Sequence, residues 1–180
     1  FLLFAAGAWL VATHVSHVHA RVLAWEHPFN EALYHERVGG SYQLAQSLFA
    51  QADGGLLGTG FDQSLLKLLP IPESDMIYAV ITNELGLAGA AALLATYLLF
   101  VARGLKVAML ARDSFSKLLA TGLSFVVAMQ VFVIVGGVTR VIPLTGVTLP
   151  FVAYGGSSVA MNFVLLALLL VISDRARRPV

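Results

Sequence analysis

Four long apolar runs, at roughly 1–19, 76–102, 117–139 and 151–173, alternate with more polar stretches along the chain. Each is near or above the roughly 20 residues that a helix needs to cross a hydrocarbon core. The third is typical: LLATGLSFVVAMQVFVIVGGV contains no charge. The first is weaker, because His14, His17 and His19 lie near its end. The pattern predicts an all-α integral membrane protein, a polytopic helical bundle. Its spans are joined by a long loop at 20–75, loops at 103–116 and 140–150, and a tail at 174–180.

Composition agrees with a lipid solvent. Hydrophobic residues make up 58% of the chain and charged residues 12%, where soluble domains carry about a quarter charged. With no cysteine, neither a disulfide framework nor a thiolate metal site can form. A net charge of +1 is too small to suggest a nucleic-acid partner. The chain opens at Phe1 inside an apolar run, without the charged head or cleavage site of a secretory signal. It therefore reads as the later part of a longer polytopic protein.

Lysine and arginine placement sets the expected orientation. Arg103, Lys106, Arg112 and Lys117 lie between the second and third spans, and Arg175, Arg177 and Arg178 follow the fourth. The positive-inside rule makes these ends cytoplasmic. The long loop then faces outside with Glu26, Glu31, Glu36, Asp53, Asp62, Glu73 and Asp75 against Arg21, Arg37 and Lys67. Its middle, SYQLAQSLFAQADGG, puts Leu44, Leu48 and Phe49 on one stripe of an amphipathic helix. GGLLGTG follows, whose glycines permit positive φ and close backbone approach. A flexible hinge and a substrate-shaped loop fit it equally. Pro70 and Pro72 stiffen the approach to the second span.

Acids at the head of that span, in LPIPESDMIYAVITNELG, are the first candidates for chemistry. Ser74 or Asp75 suits a helix N-cap. The same aspartate, at a membrane–water boundary, also suits a general base. Glu84 falls on the opposite helical face, about 13 Å further along a straight helix, and is expected to meet other helices of the bundle. His14 and His17 are spaced like metal ligands but lack a third, so interfacial histidines are the expectation and no metal site is assigned. Gln130, in an uncharged span, is expected to hydrogen-bond another helix. Arg140 is placed to snorkel outward or bind an anionic headgroup.

The stretch IPLTGVTLPFVAYGGSS, 142–158, is Pro- and Gly-rich backbone beside the fourth span. Such backbone is tolerated at membrane depth only when it is buried in protein or lines a polar cavity. Here the sequence resembles the SEDS family, the RodA and FtsW proteins of bacterial elongation and division. The family pattern P-x-TG-x-x-LPF-x-SYGGSS is matched by Pro143, Thr145, Gly146, Leu149, Pro150, Phe151 and Tyr154 to Ser158, with Ala153 where the family commonly has Ser. IPESDMIYAVITNELGLAG and RVLAWEHPFN…GGSYQLAQSLFAQADGGLLGTG resemble two further family stretches. DSFSKLLATG and VGGVTRVIPLTG look most like the RodA-type members of actinobacteria.

The resemblance implies the last four of about ten transmembrane helices, in the bacterial cytoplasmic membrane with the active side outside. It implies a peptidoglycan glycosyltransferase that polymerises lipid II, paired with a class B penicillin-binding protein. The family's essential aspartate matches Asp75. Substrate contacts are expected at Arg21, Lys67, Arg140, Tyr154, Ser157 and Ser158, with Glu84 and Gln130 as structural polar residues. No cofactor is assigned, although a divalent cation, Mg or Mn, would suit the diphosphate. A lipid II flippase and a non-catalytic scaffold for a transpeptidase are the alternatives.

Overall fold

The computed structural model describes residues 15–34, 41–63 and 74–177. Helix α1 is Ser16–Glu26, α2 Glu31–Tyr34, α3 Tyr42–Gly54, α4 Ile77–Leu110, α5 Ser114–Val138 and α6 Gly156–Arg177. Among the described residues the regular structure is all helical, and α4, α5 and α6 are long and apolar enough to cross a membrane. The expected first span, 1–19, lies outside the described residues except for its end. There the helix does not stop at residue 19. Nothing in VHARVLAWE breaks it before Pro28, so α1 runs on to Glu26. His27, with φ −129° and ψ 64°, then leaves the helix because a residue preceding proline is pushed out of the α region.

Charge misled the hydropathy reading at the second span. Arg103 and Lys106 end the apolar run, yet ARGLKVAML is built mainly of good helix formers, and α4 continues to Leu110. The expected 103–116 loop shrinks to residues 111–113. Asp113 then caps α5, accepting a 2.7 Å hydrogen bond from the Ser116 amide. That bond is the main cause that holds the Asp113 carboxyl below 3.8. A depressed folded-state pKa gives stability that is present above the unfolded value and lost as pH falls through the folded one. Wild type should therefore outlast Asp113→Ala in thermal unfolding at neutral pH, and the advantage should shrink below pH 3.8.

The bundle is held by close approach of small residues. Gly104 of α4 has no side chain, and a Cβ there would run into the Ser124 hydroxyl of α5. Tyr97, Ala108, Ala120, Val127, Ile134, Leu165 and Leu169 share one buried cluster across α4, α5 and α6. In lipid, helices gain little from hydrophobicity against one another, so dispersion at such contacts decides packing. Leu98, Leu99, Phe125, Phe132 and Phe163 stay exposed, as a bilayer or further helices permit.

Helix α3 lies across the N-terminal part of α4, and the expected stripe divides: Leu44 is buried, Leu48 half-buried and Phe49 exposed. Leu44, Ala45, Ser47, Ala50 and Gly54 are buried, whereas Phe49 is 52% exposed and stacks 5.4 Å from Phe29. The reason is distance. A Cβ on Gly54 would strike the backbone of Thr82 and Asn83, so at this crossing point only a residue without a side chain allows the contact. Buried Asn83 locks it, donating from Nδ2 to the Ala50 carbonyl at 2.7 Å and to Asp53 Oδ2 at 3.3 Å.

Candidate functional site

Helix α4 is broken near its start. Gly86 has φ 67° and ψ −170°, which separates a short piece, 77–85, from a long one, 87–110. The glycine loop fills that break. Gly60 N–H donates to the Glu84 carbonyl at 3.1 Å and Thr59 N–H to the Asn83 carbonyl at 2.9 Å. In return Leu87 and Ala88 N–H donate to the carbonyls of Gly55 and Leu56 at 2.9 and 3.1 Å. GGLLGTG is thus a docked plug that supplies the partners the helix loses. Glu84 has a partner within this chain: its Oε1 accepts from the Asp62 amide at 3.1 Å, so it helps to hold the plug, as a structural polar residue does.

The short piece presents Asp75 at its head. Neither Ser74 nor Asp75 is the cap, because the helix starts at Ile77 behind Met76, whose side chain caps nothing. The half-buried Asp75 carboxylate instead takes a 2.8 Å hydrogen bond from the Ser74 hydroxyl on Oδ1. Its other oxygen faces the α5–α6 loop. A Cβ added to Gly146 would stand 3.8 Å from Asp75 Oδ2 and 3.6 Å from Arg21 Nη2. Gly146 has φ +72°, so this turn favours a residue without a side chain. Arg21 reaches it from α1 and donates from Nη1 to the Thr145 carbonyl at 2.7 Å and the Leu144 carbonyl at 3.4 Å. A carboxylate from one segment and a guanidinium from another thus flank a bare backbone turn.

The other expected site residues divide. Arg140 is engaged: Nε donates to the Trp25 carbonyl and Nη2 to the Glu26 carbonyl, each at 2.9 Å. Trp25 Nε1 returns a 3.0 Å bond to the Arg140 carbonyl. This clasp satisfies free carbonyls at the end of α1. Arg140→Ala should cost about 1–2 kcal/mol, read as a lower thermal midpoint of the detergent-solubilised protein. Trp25, four residues from Arg21 and so on the same face of α1, was not singled out from the sequence.

Beyond the turn, residues 151–155 are not the first turn of a helix as the hydropathy suggested. Phe151 has φ 63° and α6 starts only at Gly156. The Tyr97 hydroxyl donates to the Pro150 carbonyl and fixes this bend against α4. Ser158 accepts a 2.8 Å bond from the Thr148 hydroxyl, Ser157 is exposed, and Tyr154 is 79% exposed. Gln130 is not seen bonding another helix: its buried Oε1 has no hydrogen-bond partner among the described residues. Lys67 and His14 lie outside the described residues.

The relatives of this chain point one way. The family model described as cell cycle protein, covering FtsW, RodA and SpoVE, matches residues 1–178. The peptidoglycan glycosyltransferase RodA of Mycobacterium tuberculosis is 48% identical over 177 residues, 98% of this chain and 37% of the relative. The stage V sporulation protein E of Bacillus subtilis is 36% identical over 159 residues, 87% of this chain and 42% of the relative. A solved structure from work on a peptidoglycan synthase complex that coordinates polymerization and crosslinking superposes with a TM-score of 0.71 at 26% identity. It covers 99% of this chain and 49% of that one. The chain thus spans well under half the length of these curated relatives. With this agreement in sequence and fold, the chain belongs to the FtsW/RodA/SpoVE family.

Proposed function

We propose that this chain carries the outer-face reaction centre of a peptidoglycan glycosyltransferase that polymerises lipid II. The observation that supports it is the convergence of Asp75 and Arg21 on the bare turn at Gly146. In this reading Asp75 takes the proton from the acceptor sugar's 4-hydroxyl as its oxygen attacks the anomeric carbon of the donor. The bond from that carbon to the diphosphate oxygen breaks, and the lipid diphosphate leaves with the electron pair. Arg21 lies where positive charge would stabilise it. Exposed Tyr154 and Ser157 are the further candidates for contact with a long substrate.

A divalent cation, Mg or Mn, would act at the same diphosphate. Among the described residues no three His, Asp or Glu side chains gather to hold one, so it would be held chiefly by the phosphate oxygens with one or two carboxylates. The turn faces the outer side of a bacterial cytoplasmic membrane, opposite the basic ends of α4 and α6. A class B penicillin-binding protein is the proposed partner.

The test is the product. Full-length protein, reconstituted with its partner and given labelled lipid II, should yield glycan polymer. Lipid II recovered unchanged but moved across the bilayer would replace this reading with a flippase, and neither outcome would leave a scaffold.

A further inference from the structure

At the opposite end of the bundle from Asp75, α4 and α6 diverge around a cavity of about 440 Å³. Its inner wall is apolar, with Phe100 and Val107 from α4 facing Leu166 and Leu169 from α6. Its rim is cationic: Arg103 and Lys106 from one helix and Arg177 from the other. Ser173 adds a hydroxyl, and no carboxylate lines the cavity. The acids at this end lie elsewhere, with Asp113 under the influence of Arg175.

We propose that this cavity binds an anionic phospholipid of the cytoplasmic leaflet, with the phosphate at Arg103, Lys106 and Arg177 and an acyl chain along the apolar wall. The placement in that leaflet rests on the orientation given under the proposed function; the binding chemistry does not. Three observations select this occupant. The charge is of one sign and comes from two helices, so a single phosphate can bridge them, and guanidinium groups match phosphate oxygens with paired donors. The cations follow the apolar stretches of α4 and α6, and a basic pocket between spans recognises acidic lipids. Finally, the α6 wall runs from Leu166 through Leu169 and Leu170 to Ser173 and Arg177, a rise of about 16 Å, which gives this side of the cavity an apolar depth and a charged mouth on the scale of a headgroup and several methylenes. A neighbouring protein helix would cover the apolar wall but would bury three cations without a counter-charge, which is costly.

The experiment uses the full-length protein in detergent, titrated with dioleoyl phosphatidylglycerol or dioleoyl phosphatidylcholine and read by native mass spectrometry. Wild type should retain phosphatidylglycerol in preference, and Arg103→Gln, Lys106→Gln and Arg177→Gln should each weaken that preference by about fivefold. Lys117→Gln and Arg175→Gln, which remove charges at the same end but outside the cavity, should leave it unchanged. Equal loss in those controls, or no preference in wild type, would overturn the site in favour of diffuse surface charge. A photo-crosslinker at Leu170, a further lining residue that is 60% exposed, should capture the phospholipid. Crosslinking to another segment of the same polypeptide would overturn the proposal as well. Neither readout involves lipid II, so failure of the glycosyltransferase reading would leave this result standing.

Discussion

Asp75→Asn should cut glycan polymer by about a hundredfold to ten-thousandfold while the protein folds, binds its partner and holds its substrate. The substitution keeps the shape of the side chain and an oxygen to accept the Ser74 hydroxyl, a bond of 2.8 Å in the native protein. What it removes is the ability to take a proton. A helix-cap role would make the variant nearly silent, but Asp75 is not the cap; Met76 holds that position and α4 begins at Ile77. A purely electrostatic role, holding Arg21 near Gly146, predicts something different again: lower thermal stability together with weaker activity. The measurement is therefore paired. Polymer from labelled lipid II is compared between wild type and variant, and the thermal midpoint is taken on the same preparations. Loss of polymer at an unchanged midpoint assigns the proton transfer to Asp75. Undiminished polymer would leave Asp75 as a local acceptor for Ser74 and move the base to another part of the protein.

How much of this was readable beforehand depends on the range of the cause. Spans α4, α5 and α6 follow from hydropathy, because each apolar run has to cross about 30 Å of hydrocarbon. Their ends do not, because charge stops a hydropathy count without stopping a helix, as Arg103 and Lys106 illustrate. Asp75 was picked out by its position and by resemblance, and Arg21 only as one of a few outer cations. That the two meet at Gly146 depends on how α1 packs against the loop after α5, a contact between remote segments that no local pattern encodes. Arg140 shows what a local reading leaves out. A basic residue at a helix end looks like an anion site, and two of its five donors are engaged by the remote Trp25 and Glu26 carbonyls, which fixes the guanidinium in place. The α3 stripe shows the same limit. Leu44 is buried as an apolar stripe residue should be, but Phe49 is not, because the close crossing with α4 at Gly54 leaves no room for a large side chain.

Gly86→Ala should be among the most damaging single methyl groups in the described part of the chain. Within NELGLAG the glycine looks like a mild weak point in a continuous helix, where alanine would be expected to stabilise by up to about 1 kcal/mol. The structure reverses the sign. At φ 67° and ψ −170° the residue occupies a region that is essentially restricted to glycine, and a side chain there costs about 1–3 kcal/mol. The added Cβ would also run into the Leu56 carbonyl and the Gly58 amide. These are backbone atoms of the plug, and they cannot step aside without breaking the Leu87 to Gly55 and Ala88 to Leu56 hydrogen bonds. Overpacking of this kind adds about 1–3 kcal/mol, for a total of about 2–6 kcal/mol. Gly122→Ala is the matched control, since a Cβ there meets nothing within 4 Å. A thermal-unfolding series on the full-length protein in detergent should place Gly122→Ala at or above wild type and Gly86→Ala far below it. If both alanines behaved alike, the helix would be continuous through Gly86 and the plug would not be docked. The consequence reaches the reaction, because the short piece 77–85 is held between α3 and the plug and carries Asp75 at its head. Undocking the plug frees that piece to move, so Gly86→Ala should lose polymerisation at temperatures where its remaining helices are still folded.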